Sequence, residues 1–242
     1  RVAPQFQEPL LRFFQGVVEV MLVIVRWVLL VVQLGVFALA VSLGRKGGFG
    51  AADALGHYLA LVCAVAFLIV LASYPLVRWR AGVPVLAFAK AALPSQILAF
   101  STRSSLACLP VMIEAARDVL RLPAQVCGVT LPMAVSLFRA TSPIVNLSVV
   151  LFAAHINGVS IGIAPMIAGI ILAVLTSFAV VGLPSQITFF TTTVPISHAM
   201  GVPTDILPLL LAIEVIPDLF RTVGNVTADL AVAAAVHGAR IS

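Results

Sequence analysis

The sequence predicts an all-α membrane protein, assembled from transmembrane helices and re-entrant helical hairpins. Three observations carry that prediction. Hydrophobic residues make up 62% of the 242 residues and charged residues only 10%, against about 25% charged in a soluble domain. Mean hydropathy is +1.17. Apolar runs longer than the ~18 residues needed to cross a hydrocarbon core recur along the chain. So few charges could not clothe a water-facing surface, and the membrane class follows from composition.

The elements follow in order. Residues 1–15 read as a short amphipathic lead-in rather than a cleavable signal peptide. The first apolar run, 17–43, closes at Gly44, Arg45, Lys46, Gly47 and Gly48, a predicted turn; the second, 58–77, ends at Arg78, Trp79 and Arg80. Each is long enough to span. Glu19 and Arg26, seven residues apart on one helical face, are expected to snorkel to the interface. The stretch 83–120 is interrupted by Pro94, by the polar run Ser101 to Ser105 and by Pro110. Two short apolar arms around a polar tip suit a re-entrant hairpin, because irregular backbone at membrane depth is tolerated only when protein buries it or a cavity lines it. Residues 122–156 form a span interrupted by Pro132 and by Phe138, Arg139, Ala140, Thr141, Ser142 and Pro143. Proline removes a backbone donor, so an unwound stretch is expected there.

The pattern then repeats. Residues 159–181 reach a second polar tip, Gly182, Leu183, Pro184, Ser185 and Gln186, followed by a return arm with Thr188 and Thr191 to Thr193. Thr204 or Asp205 is expected to N-cap the last helix, 206–236. The chain thus divides into residues 1–80, two transmembrane helices; 81–157, a hairpin and a broken span; and 158–242, a second hairpin and a last helix. Paired broken segments in corresponding positions point to a transporter's binding site. Arg78, Arg80, Arg117, Arg121 and Arg240 fall on one side of these spans, and Arg45 and Lys46 on the other. That excess supports a cytoplasmic C-terminus, expected in a plasma or inner membrane.

The net charge of +5 does not indicate nucleic-acid binding. The 14 basic residues are not clustered with aromatics but sit between apolar runs. Cys63, Cys108 and Cys127 lie singly, without metal-ligand or disulfide spacing. His155 and His198 are expected in exposed loops near the outer ends. An intramembrane enzyme has little support, since no nucleophile elbow or metal-ligand spacing connects the Ser, His and Asp residues present.

The last helix carries Glu214, Asp218, Arg221, Thr222, Asn225 and Asp229 in otherwise apolar surroundings. At ~100° per residue they project as one narrow stripe, with Thr222 at its edge. Each ionised group near mid-membrane costs roughly 2.5–3.5 kcal/mol on insertion scales, so the four charges cost on the order of 10 kcal/mol. Internal pairing would offset this, through Asp218 with Arg221 or through Glu214 and Asp218 sharing a proton. A zwitterion site would in addition explain Thr222 and Asn225. A ligand carboxylate would dock bidentately on Arg221 and an ammonium on Asp218.

The run Asp218-Leu219-Phe220-Arg221-Thr222-Val223-Gly224-Asn225-Val226-Thr227-Ala228-Asp229 resembles the last-helix signature of the dicarboxylate/amino acid:cation symporters, the glutamate and aspartate transporters. Thr102-Arg103-Ser104-Ser105-Leu106-Ala107-Cys108-Leu109-Pro110 resembles their serine-rich first hairpin, Gly182-Leu183-Pro184 the tip of their second, and Gly35-Val36-Phe37-Ala38-Leu39 their fifth helix. The resemblance implies an inverted repeat and an elevator-type symporter of glutamate or aspartate with a hairpin gate. It implies a homotrimer where the whole scaffold is present. Arg221 would hold the side-chain carboxylate, Asp218 the amino group, and Thr222 and Asn225 further oxygens. Ser104, Ser105 and Gly182 would complete the pocket, with Pro184 in the gate.

This sequence departs from the family at three points. The family's Asn-Met-Asp-Gly-Thr run reads Phe138-Arg139-Ala140-Thr141-Ser142 here, which leaves only Asn225 and Asp229 as matching sodium ligands. Arg139 places a fixed positive charge where cations would sit. It is expected either to substitute for a bound cation and weaken sodium dependence, or to pair structurally with Asp229 or Glu214. No cofactor is implied beyond Na+ or H+ as coupling ion. The resemblance also starts at the family's fifth helix, so the chain is expected to be part of a longer protein. A C4-dicarboxylate carrier and a non-transporting binding protein of the same fold are the alternative functions.

Overall fold

The computed structural model describes residues 4–180 and 185–238. Every regular element among them is helical. Helix α1 runs unbroken from Pro4 to Ala81. The turn expected at Gly44 to Gly48 is therefore absent. A glycine costs a helix only about 1 kcal/mol against alanine, and the prolines inside α1 are Pro9 and Pro75, well away from that run. The described side chains before Asp53 are exposed. Only the later part, Asp53–Ala81, is a packed candidate span; through it α1 meets α2, α5, α8 and α9.

Helices α2 (Val85–Thr102) and α3 (Ser105–Asp118) form the first hairpin. Its tip is made by two residues. Arg103 takes the left-handed conformation at φ 54°, donating its N–H to the Ala99 carbonyl and ending α2. Ser104 is extended and accepts the Ala107 N–H on its hydroxyl at 3.3 Å, starting α3. Pro94 and Pro110, expected to interrupt the arms, instead lie inside α2 and α3. Membrane-buried helices tolerate proline because neighbouring groups re-satisfy the freed backbone, so the polar tip alone breaks this stretch.

The next span comprises α4 (Ala124–Met133), a π-helical turn (Ala134–Phe138) and α5 (Thr141–Ile156). Pro132 lies inside α4, and the widened turn follows it directly. Arg139 then reverses the backbone at φ 27°, so the unwound stretch lies where the sequence predicts it. Helices α6 (Ile163–Phe178) and α7 (Ser185–Met200) are the arms of the second hairpin; residues 181–184, its tip, lie outside the described residues.

The predicted last helix is two helices, α8 (Leu207–Ile213) and α9 (Val215–Gly238), separated at Glu214. Pro217 lies in the first turn of α9, the place a helix tolerates a missing N–H. Neither Thr204 nor Asp205 caps α8. Ile206 occupies the N-cap without a side-chain bond, and the Thr204 carbonyl accepts the Leu207 N–H at 3.0 Å. Pro208 in that first turn already removes one donor that a cap would serve.

Helix α9 is central, with contacts to α1, α2, α3, α4 and α5. Its Val226, Leu230, Ala231 and Ala234 join Val77, Phe88, Met112 and Leu131 in one apolar cluster. A second cluster unites Tyr58, Val149, Phe189, Leu207 and Leu210, and a third Val150, Ala173, Ile196 and Met200. The three cysteines are free. The ends of α1 and α9 meet: a Cβ on Gly238 would lie 2.7 Å from the Ala81 Cα. Ala116 and Leu122 pack with Val77 in the first cluster. Arg78, Arg80, Arg117 and Arg121 therefore gather at one end of the bundle.

Small residues set how closely α9 is approached. A Cβ on Gly224 would overlap the Thr141 Cγ2 and lie 3.5 Å from the Ala66 carbonyl oxygen. Thr141 is itself hydrogen-bonded to α9 and cannot yield cheaply. Gly224→Ala should destabilise the protein by about 1–3 kcal/mol, the usual cost of overpacking. Gly128→Ala meets nothing within 4 Å and should be neutral or stabilising by up to about 1 kcal/mol. Thermal unfolding in detergent distinguishes them, and equal effects at both positions would contradict the packing described.

Candidate functional site

The polar residues of the last segment are buried at the centre of the bundle: Glu214, Asp218, Arg221, Thr222, Asn225 and Asp229 all have side chains enclosed by the surrounding helices. They face different partners. Arg221 Nη2 pairs with Glu214 Oε1 at 2.7 Å. The partner of Arg221 is thus Glu214, two turns back, and not Asp218, one of the two internal pairings the sequence offered. The reason lies in hairpin two. The Ser185 N–H, at the start of α7, donates to Asp218 Oδ2 at 3.1 Å, and the Ser185 hydroxyl donates to Glu214 Oε1 at 3.1 Å. Asp218 is directed to the hairpin, and Glu214 to the guanidinium. Tyr58, from α1, donates its phenol to Glu214 Oε2 at 3.1 Å. Glu214 therefore has three side-chain partners from three different segments.

Arg221 keeps an unused donor. Its buried Nε makes no hydrogen bond among the described residues. Thr222 donates its hydroxyl to the Asp218 carbonyl one turn back at 2.8 Å. Asn225 points to the helix break. Its Oδ1 accepts the Thr141 N–H at 3.0 Å and lies against the Thr141 hydroxyl, which is also 2.8 Å from the Arg221 carbonyl. Its Nδ2 donates to Ser142 Oγ at 3.4 Å. Asn225 fastens the start of α5, whose first N–H groups lack helical partners, onto α9. Asp229 differs again: it is fully buried, and neither carboxylate oxygen has a hydrogen-bond partner among the described residues.

Of the other residues singled out by sequence, Ser104 caps α3 and Ser105 is buried as its first residue. Arg103, at the same tip, lies within electrostatic reach of Asp218. Gly182 and Pro184 lie outside the described residues. Arg139 is 5% exposed, and its Nη1 donates to the Val180 carbonyl at 3.3 Å. Glu214 pairs with Arg221 rather than with Arg139. His155 and His198 are exposed, as expected, but sit in the last turns of α5 and α7 rather than in loops.

Three participants are not conspicuous in the sequence: Tyr58, Thr141 and Ser185. For Tyr58 a signal existed, since a phenol within an apolar span needs a partner for its hydroxyl. Thr141 and Ser185 are ordinary hydroxyl residues in polar tips, and only the approach of a second segment gives them their roles. A further polar link supports the site from outside, with Gln96 Nε2 of α2 donating to Thr227 Oγ1 of α9 at 3.0 Å.

Chemically, the arrangement offers one guanidinium edge, two carboxylates and the Ser185 N–H and hydroxyl at the start of α7 around a closed, low-dielectric centre. Such a constellation can hold an anionic group and an ammonium at once.

Comparison with known proteins shows what this chain is similar to. Residues 2–239 match the model of the Sodium:dicarboxylate symporter family. The chain is 28% identical over 222 residues to a proton/sodium-glutamate symport protein of Bacillus subtilis, covering 92% of this chain and 51% of that protein. It is 26% identical over 235 residues to the proton/glutamate-aspartate symporter of Escherichia coli, covering 96% and 53%. It is 26% identical over 243 residues to human neutral amino acid transporter A, covering 95% and 43%. The chain spans about half the length of the curated relatives it matches.

Removing one partner of a buried ion pair leaves the other charge uncompensated, at a cost of about 3–5 kcal/mol. Glu214→Gln should therefore destabilise the protein by that amount, and Tyr58→Phe, which removes one hydrogen bond to a carboxylate, by about 1–3 kcal/mol. Unfolding in detergent measures both. A Glu214→Gln protein as stable as the parent would contradict the ion pair.

Proposed function

The chain belongs to the Sodium:dicarboxylate symporter family, and from that premise we propose that it is the substrate-binding core of a secondary transporter for acidic amino acids such as aspartate and glutamate. The observation that carries this reading is the buried trio Glu214, Arg221 and Asp218, two of which Ser185 at the start of α7 holds by hydrogen bonds. Arg221 presents Nε beside the edge bound by Glu214. A substrate side-chain carboxylate docks there, and guanidinium forks favour carboxylates geometrically. Asp218 receives the substrate ammonium once the Ser185 N–H withdraws. Relatives named as glutamate or glutamate-aspartate symporters support the acidic side chain.

The charge balance favours an amino acid over a plain C4-dicarboxylate. Glu214 already offsets Arg221, and Asp218 adds a further negative group. A dianion brings two negative charges against them, whereas aspartate brings an ammonium that Asp218 can bind. Hairpin two serves as the gate. Ser185 bonds Glu214 and Asp218 when the hairpin is closed, and its departure opens the way to both carboxylates. The gathering of Arg78, Arg80, Arg117 and Arg121 at the end where α1 and α9 finish supports a cytoplasmic C-terminus.

Aspartate should bind the purified protein and enter proteoliposomes. Truncating one member of a buried charged pair typically costs about 2–5 kcal/mol of binding, so Arg221→Ala should weaken aspartate binding at least about 30-fold. Asp218→Asn should weaken aspartate more than succinate, since only aspartate carries the ammonium. Binding that survives Arg221→Ala unchanged removes the assignment, and succinate outcompeting aspartate replaces it with a C4-dicarboxylate carrier. Binding without uptake by the full-length protein would identify a receptor rather than a transporter.

A further inference from the structure

The side chains at the break between the π-helical turn and α5 are poorly suited to a hard cation such as sodium. A hard cation takes oxygen ligands. Phe138 and Ala140 offer no side-chain oxygen, and Asn225 Oδ1 is already engaged by both the N–H and the hydroxyl of Thr141. What occupies the break is Arg139. Its backbone adopts φ 27°, which turns the chain between the π-helical turn and α5. Its guanidinium is buried, and Nη1 donates to the Val180 carbonyl at 3.3 Å. Val180 lies two residues beyond α6, at the root of the hairpin-two tip. The same guanidinium lies within electrostatic reach of Arg221, which repels it, and of Asp218 and Asp229, which attract it. Asp229 is the fully buried carboxylate whose oxygens have no hydrogen-bond partner among the described residues.

A bound cation in this place would do two things: draw a carbonyl of the hairpin toward the broken helix, and offset a buried carboxylate. A guanidinium does both while remaining covalently attached, and it does not deprotonate in proteins. We propose that Arg139 is a built-in cation, clamping hairpin two to the broken helix and offsetting Asp229, so that the gate closes without sodium. The clamp rests on the transport reading only for the ligand it encloses; the closure itself is a property of the empty protein. Sodium can shift closure only through a site that binds it better in the closed state, and Arg139 removes that preference at the break.

The experiment is amide hydrogen exchange of hairpin two, residues 163–200, in the purified full-length protein in nanodiscs. It is run in sodium chloride and in choline chloride at equal ionic strength, first without amino acid. The unmodified protein should exchange at the same rate in both salts, within about twofold, because local opening reports the closed population. Arg139→Met should speed exchange in choline by about tenfold or more, the effect of losing ~1.4 kcal/mol of closure. Arg139→Lys, which keeps the charge, should retain part of the protection. If sodium slows exchange of the unmodified protein about tenfold, the proposal is wrong, and this arm needs no variant to fold. It is equally wrong if Arg139→Met exchanges like the parent in choline. Aspartate is then added as a separate arm. Failure of aspartate to slow exchange in either salt would count against the transport reading and leave the clamp intact.

Discussion

The buried ion pair between Arg221 and Glu214 is the constraint on which the rest of this structure depends. A guanidinium at membrane depth cannot be hydrated by lipid, and it remains charged in any protein environment. It therefore needs a carboxylate, and that carboxylate must in turn have its remaining lone pairs satisfied. Glu214 meets both needs only because Tyr58 of α1 and Ser185 of α7 converge on it. The pair thus draws together a long span, the second hairpin and the last helix. Without it α9 would carry an uncompensated charge through its most buried stretch.

The breaks in the helices follow from the same requirement. Irregular backbone inside a membrane must find partners within the protein. At the start of α5 the partner is Asn225, whose side-chain oxygen takes the Thr141 N–H, while the Thr141 hydroxyl reaches the Arg221 carbonyl. At the start of α7 it is Asp218, which accepts the Ser185 N–H. One helix therefore supplies the acceptors for two broken segments, and Gly224 lets the first of them approach closely enough. The polar stripe is a scaffold as well as the proposed binding surface, and its members divide the work. Glu214 and Asp218 meet Ser185 at the start of α7, Glu214 also pairs with Arg221, Asn225 and Thr222 brace the backbone, and Asp229 lies within electrostatic reach of Arg139.

Much of this was legible in the residues. Six polar side chains at helical spacing in an apolar run identify a buried polar face before any coordinate is known. Two polar tips flanked by short apolar arms identify the hairpins, because no straight helix could carry Ser101 to Ser105 across lipid. Other features were not legible. Gly44 to Gly48 reads as a turn, yet α1 continues through it, since the glycine cost per residue is small and no proline interrupts the ladder there. Pro94 and Pro110 read as breaks and lie within helices. Glu214 and Val215 look like the interior of one helix, although the chain divides there. The local signals here run from about 1 kcal/mol for a glycine to about 3 kcal/mol for a proline, too weak to decide against what the neighbouring segments supply.

By itself the sequence determined the membrane class, the repeated plan of hairpin and broken span, and the charged stripe around Arg221. Those rest on composition and periodicity, which are additive along the chain and need no knowledge of partners. Tertiary structure alone decided the pairing within that stripe: Arg221 with Glu214 rather than Asp218, Asn225 with Thr141, and Arg139 with the root of hairpin two. A buried polar group takes whichever partner the packing brings within hydrogen-bonding distance, and segments up to 156 residues apart in the chain are what packing brings together here.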